Sequence, residues 1–208
     1  MTTKVTTLMP TSVVNADHPV LLGLRKFTPS EGWLILGILL ATLLTIADMV
    51  TDAAWAKSPS LYGIVVMGVI MGLVVAKLPG QPIAWNIAAI VLGSGFVYWQ
   101  MSTITDATGF LEHFEVLNAR LIEWRHIASE GGISTDTVPF ALIVASLSWI
   151  IGYTSAWATF KKRNIWLAVL PGGIAMFSNL SYLPEEFGPQ VFLYLALAML
   201  LIASIHAL

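Results

Sequence analysis

Six apolar stretches, at positions 33–50, 61–77, 83–102, 139–160, 165–183 and 191–208, take up most of this chain, and each approaches the length of one bilayer crossing. A hydrocarbon core ~30 Å thick needs about 20 helical residues, somewhat fewer where the end residues snorkel. Within it only a helix or a closed barrel satisfies the backbone hydrogen bonds. Composition points the same way: 57% of the residues are hydrophobic and 11% charged, whereas a water-facing domain carries roughly 25% charged residues. The mean hydropathy is +0.80. The expected fold class is all-α, a polytopic membrane helix bundle of about six transmembrane helices plus one outer-surface amphipathic helix.

The punctuation between the stretches sets the organisation. Residues 1–32 are Thr-rich and polar and lack the apolar run and cleavage site of a signal peptide, which makes them a retained N-terminal tail. Leu78-Pro79-Gly80-Gln81-Pro82 ends the second span and reverses the chain into the third, so those two should form a hairpin. Residues 33–208 make the bundle, interrupted by a polar loop at 103–138. The last span ends Ser204-Ile205-His206-Ala207-Leu208 without the polar anchors usual at a membrane boundary, which leaves open both a fragment of something longer and a stand-alone chain.

Basic residues give the expected orientation, because short cytoplasmic segments are enriched in Lys and Arg. With the N-terminus cytoplasmic, the inner side holds Lys4, Arg25, Lys26, Lys77, Lys161, Lys162 and Arg163, and the outer side only Lys57, Arg120 and Arg125. Acidic residues collect outside, among them Asp52, Asp106, Glu112, Glu115, Glu123, Glu130, Asp136, Glu185 and Glu186. Trp33, Trp85, Trp157 and Trp166 mark the inner boundary, and Trp55, Tyr62, Tyr98, Trp99 and Tyr182 the outer one. The expected location is a bacterial cytoplasmic (inner) membrane.

Within the 103–138 loop, Phe110, Phe114, Leu117, Leu121, Trp124 and Ile127 recur at three- and four-residue spacing, while Glu112, Glu115, Arg120 and Glu123 fall between them. This predicts an amphipathic helix that lies in the interface or caps the bundle, or else offers Phe110, Phe114, Leu117, Leu121 and Trp124 as a docking face for a partner.

Small residues form stripes at four-residue spacing: Gly68, Gly72 and Ala76 in the second span, Ala89 and Gly93 in the third, Ser148, Gly152 and Ala156 in the fourth. Such stripes let helix backbones approach closely, within one chain or between chains. Asp48 is the one acidic residue placed within a span, with Asp52 a turn later. Intramembrane carboxylates are costly and mark functional positions, but Asp48 stands roughly 22 Å along its helix at 1.5 Å per residue, near the outer interface. A structural hydrogen bond and a proton or cation site are both open there, with Asn86, Gln100 and Asn179 as available partners. Leu170-Pro171-Gly172-Gly173 should kink or unwind the fifth span, and broken helices line substrate sites in some transporters.

Other chemistry is thinly represented. The chain has no cysteine, which removes disulfides, a thiol nucleophile and thiolate-held metals. His113 and His126 lack metal-ligand spacing, only His206 of the four histidines lies in an apolar run as a haem or chlorophyll ligand would need, and no phosphate loop, dinucleotide fingerprint, nucleophile elbow or zinc motif occurs. Near-neutral charge, −2 overall, gives no basic surface for nucleic acid. Neither a catalytic site nor a cofactor is expected.

Pro29-Ser30-Glu31-Gly32-Trp33, Lys77-Leu78-Pro79, Trp149-Ile150-Ile151-Gly152-Tyr153 with Ala156-Trp157, and Trp166-Leu167-Ala168-Val169-Leu170-Pro171-Gly172-Gly173 together resemble the N-terminal multi-pass region of bacterial transglutaminase-like membrane proteins, the protein-glutamine gamma-glutamyltransferases. The likeness covers residues 29–173. It implies an anchoring membrane module, either part of a longer enzyme whose extracytoplasmic domain has a Cys-His-Asp arrangement or a stand-alone relative. This chain contains no such domain, and without cysteine it cannot itself carry out thiolate acyl transfer.

The leading expectation is a non-catalytic membrane anchor or scaffold, embedded in lipid and holding another membrane subunit or an extracytoplasmic domain. The alternatives are an accessory subunit of a respiratory or photosynthetic complex and a small transporter or channel.

Overall fold

The computed structural model describes residues 32–182 and 188–207. The tail residues 1–31, with Lys4, His18, Arg25 and Lys26, and residues 183–187 and 208 lie outside the described residues. Among those described, the chain is entirely helical: α1 (Trp33–Asp52), α2 (Leu61–Lys77), α3 (Pro82–Ser102), α4 (Phe110–Ser129), α5 (Val138–Trp157), α6 (Ile165–Tyr182) and α7 (Gly188–His206). Five of them, α1, α3, α5, α6 and α7, are long and apolar enough to cross a membrane. The sixth expected span, α2, is an apolar helix of 17 residues, about 26 Å long at 1.5 Å per residue, somewhat short of a ~30 Å core.

Local signals explain the boundaries. Ser60 caps α2 by accepting from the Gly63 amide, the role Ser fills because its short side chain reaches the unpaired first-turn amides. Gly80 turns the chain between α2 and α3 at φ +97°, a conformation glycine adopts without a Cβ clash. Pro139 sits in the first turn of α5, where its missing N–H costs nothing. At the far end α5 continues as a π-helical turn, Ala158–Lys162, and stops at Arg163 in the left-handed region. Asn164 then accepts from the Leu167 amide and starts α6, so one residue pair reverses the chain.

Several boundaries move from the sequence reading. α1 extends two residues to Asp52, which makes that residue the helix end rather than loop, and α7 begins at Gly188 rather than at 191. The helices alternate in direction. Lys77, Lys161, Lys162 and Arg163 therefore gather at one end of the bundle, hereafter the basic end, and Asp52, Asp106, Asp136 and the α4 carboxylates at the other, the acidic end.

The centre consists of α1, α2 and α5. The α2–α5 pair is the most extensive contact, followed by α1 with α7. α3 packs outside α2 and α5, α6 joins α1 to α5, and α4 lies across α3 and α5 at the acidic end. Half of the apolar window of α1 is buried inside the chain, but only 17% of the windows of α3 and α7, so these two present most of their apolar surface outward.

Candidate functional site

The α2–α5 crossing is built on absent side chains. A Cβ added at Gly68 would stand 2.7 Å from the Trp149 carbonyl oxygen, and one at Gly152 would stand 2.7 Å from that of Val65. At Gly72 it would strike the Tyr153 carbonyl oxygen and lie 2.9 Å from the Ala156 Cβ. The obstructing atoms are mostly backbone, which cannot rotate away. Thus Gly68 and Gly72 of one helix and Gly152 and Ala156 of the other interlock within the chain, as small-residue stripes do in lipid, where dispersion and close backbone approach hold helices together. Ala76 is buried on the same helix. Ser148 bonds back to the Val144 carbonyl and lines a groove together with Val65 of α2.

A second seam joins α5 to α3. The Trp149 and Tyr153 rings are stacked, 5.2 Å apart and 4° from parallel. The Trp149 indole occupies the space over Gly93, where any Cβ would collide with it. The Tyr153 hydroxyl donates to Asn86 Oδ1 at 2.6 Å. Asn86, Ala89 and Gly93 fall on one helical face at intervals of three and four, polar at the hydroxyl, small where the ring lies.

Several polar side chains in the spans bond to a neighbouring helix, while others, among them Thr42, Thr45 and Thr159, bond back to their own. Tyr62 of α2 donates to Asp48 Oδ1 of α1 at 2.6 Å. Asp48 therefore pairs with a tyrosine that the sequence suggested only as a boundary marker, and not with Asn86, Gln100 or Asn179. Asp52, although one turn on, is exposed. The Trp55 indole N–H donates to Asn179 Oδ1 at 2.6 Å, and Asn179 Nδ2 donates to the Met49 carbonyl at 3.2 Å, tying α6 to the end of α1. Ser155 donates to the Ala168 carbonyl at 2.6 Å.

Pro171, Gly172 and Gly173 lie inside an unbroken α6; the segment is not unwound. The glycines receive neighbours instead. A Cβ at Gly172 would collide with Ile46 of α1, and one at Gly173 would lie 3.2 Å from the Tyr194 hydroxyl of α7. That hydroxyl donates to the Val169 carbonyl at 2.7 Å, bonding α7 to α6.

α4 meets the bundle along part of the expected face. Leu117 is fully buried, and Phe114 and Leu121 are partly buried, whereas Phe110 and Trp124 are exposed. Tyr98 of α3 stacks on Phe114 at 5.8 Å and donates to Asn118 at 2.7 Å. Arg120, read from the sequence as pointing away, turns inward: its Nε donates to Asp136 Oδ2 at 2.8 Å, and the fork grips both carboxylate oxygens. A bidentate pair of this kind fixes direction as well as distance.

Two carboxylates here have shifted protonation. The Arg120 guanidinium, helped by the Val138 amide, holds Asp136 below the ordinary 3.8. The Thr108 amide and hydroxyl and the Gly109 amide hold Glu112 below 4.5. Lowered folded values mean that each contributes stability in full above its unfolded pKa and loses it as pH falls through the folded one. Acidification from about 4.5 downwards is therefore expected to loosen α4 and the 133–137 segment before the spans. A spin label on Ser129→Cys, selective because the chain has no other cysteine, should gain mobility over that range, and in Asp136→Asn it should be mobile already at neutral pH.

Among the described residues no group of three His, Cys, Asp or Glu side chains converges on a point that could hold a metal ion. An apolar groove of about 700 Å³ lies between α1, α5 and α6. Comparison of the chain with family models, with curated proteins and with solved structures returned no match.

Proposed function

We propose that this chain is a non-catalytic multi-pass membrane anchor, a scaffold that holds an extracytoplasmic domain or partner subunit at a bacterial inner membrane with its N-terminus in the cytoplasm. The observation that carries this reading is the use of five polar groups inside the spans. Asp48, Asn86, Asn179, Ser155 and Tyr194 each bond to a neighbouring helix. A transport path needs polar groups that exchange partners with a solute; groups engaged in joining helices favour a fixed frame. The resemblance to the membrane region of transglutaminase-like proteins is in keeping with an anchoring role, the chemistry belonging to a separate domain.

A partner subunit is favoured by α4. Phe110, Leu111, Ile122 and the following Ile133 are exposed on the acidic end, Ile133 to 95%, in a region rich in carboxylates. Reading this end as extracytoplasmic follows from the basic residues of the opposite end.

The expected outcome in reconstituted vesicles is no proton or solute flux above protein-free vesicles, with Asp48→Asn behaving as wild type. Flux that Asp48→Asn abolishes while helix content stays unchanged would make the chain a transporter and refute the scaffold. Orientation is tested in parallel: Ser129→Cys in intact spheroplasts should react with a membrane-impermeant maleimide and Asn164→Cys should not, and the reverse pattern would invert the topology.

A further inference from the structure

The groove between α1, α5 and α6 has the dimensions of one bilayer leaflet. Its lining runs from Phe140 to Ile151 along α5 and from Tyr182 back to Pro171 along α6, about 16 Å in each case at 1.5 Å per residue. Half of a ~30 Å hydrocarbon core is about 15 Å. Both walls start near the acidic end and extend to about mid-span.

Its chemistry is graded along that length. The deep part is apolar, with Leu43, Ile46 and Ile151, and its width comes from small residues on three helices, Ala47, Ser148 and Ala175. The mouth carries Trp55, Tyr182, Ser178 and Asn179. Trp55 and Tyr182 meet edge to face, with ring centroids 5.6 Å apart, and the Asn179 carboxamide is pinned between Trp55 and Met49. Aromatic and amide groups at this level suit the ester and headgroup zone. The volume, about 700 Å³, lies within the roughly 300–1,000 Å³ of small-molecule sites.

We infer that this groove is a binding site for the acyl chain of a phospholipid from the leaflet at the acidic end, with the glycerol ester region at the Trp55–Tyr182 mouth. This rests on the membrane-spanning reading and adds a specific ligand to it. The apolar faces of α3 and α7 offer lipid a surface only, whereas the groove has walls from three helices and should retain a chain.

The test uses the full chain in vesicles of phosphatidylethanolamine and phosphatidylglycerol, doped with a phosphatidylethanolamine bearing a mid-chain diazirine. After photolysis, insertion at Val144, Leu147, Ile151 and Ala175 should exceed that at the outward-facing Ile90 and Val91 of α3 several-fold. Ala175→Phe, which fills the groove, should bring the excess down to the α3 level without changing labelling of α3 itself; Ser148→Leu serves the same purpose if Ala175→Phe does not fold. Native mass spectrometry of the wild type should show one phospholipid surviving detergent removal. Groove labelling no higher than that of α3, an excess that persists in a folded filled variant, or a retained peptide or second copy in place of phospholipid would each overturn the inference while leaving the membrane reading intact. Failure of the chain to insert into the vesicles would overturn both.

Discussion

Gly72→Leu should lower stability by about 3 kcal/mol or more, at the upper end of what overpacking costs, because the α2–α5 crossing has no slack at that position. The carbon that leucine must add collides with the Tyr153 carbonyl oxygen and crowds the Ala156 Cβ and the Trp157 amide. Relief requires the two helices to move apart, which removes contacts along the whole seam rather than at one residue. Alanine at position 72 already carries the offending carbon, so Gly72→Ala should destabilise too, with leucine worse. The controls are Gly37 and Gly95, where an added Cβ meets nothing within 4 Å; leucine there should change stability by no more than about 0.5 kcal/mol. Equilibrium unfolding in mixed micelles, followed by helix content, distinguishes the cases. Equal effects at positions 72 and 95 would show that the crossing is not the seam described.

Trp149→Ala should cost about 3–5 kcal/mol, the range for truncating a large buried aromatic. The indole fills the space that Gly93 leaves, lies flat on Tyr153, and thereby aims the Tyr153 hydroxyl at Asn86. Its removal leaves a void facing two helices and frees the tyrosine that bonds α5 to α3. The diagnostic experiment is a double-mutant cycle. Gly93→Val should be strongly destabilising in the wild type, where its side chain meets the indole, and close to neutral in Trp149→Ala, where the space is vacant. Additive effects would mean that the two positions do not share a site.

Much of the architecture was readable before any coordinate. Spans of about 20 apolar residues have no stable alternative to helix in lipid, and Pro and Gly between them leave little freedom in where each ends. The amphipathic loop helix was legible for the same reason: apolar residues three and four apart define one face whatever that face touches. Small-residue stripes marked Gly68, Gly72, Gly152 and Ala156 as positions of close approach.

The partners were not readable. Asp48 is answered by Tyr62, fourteen positions away in sequence and on another helix, and nothing in the local pattern distinguishes that tyrosine from others at the span ends. Arg120 sits among polar residues of α4, yet it is held by Asp136, beyond the helix. Ser148 belongs by spacing to the Gly152–Ala156 stripe, and that it also lines a groove reaching α1 and α6 is visible only in the fold. The Pro171-Gly172-Gly173 run, read alone, suggests a break; in the bundle the same glycines admit Ile46 and Tyr194 and the helix continues.

The sequence by itself determined that this chain is helical, where its helices start and stop to within a few residues, and which faces are small enough for backbones to touch. Those properties follow from the needs of each segment alone, satisfying its own backbone bonds and matching its side chains to lipid. Which helix meets which, what answers each intramembrane polar group, and the leaflet-long groove were decided only by the tertiary structure. They depend on pairs and triplets of helices brought together in space, and in a chain where nearly every span is apolar on all sides the one-dimensional pattern does not single out the contact.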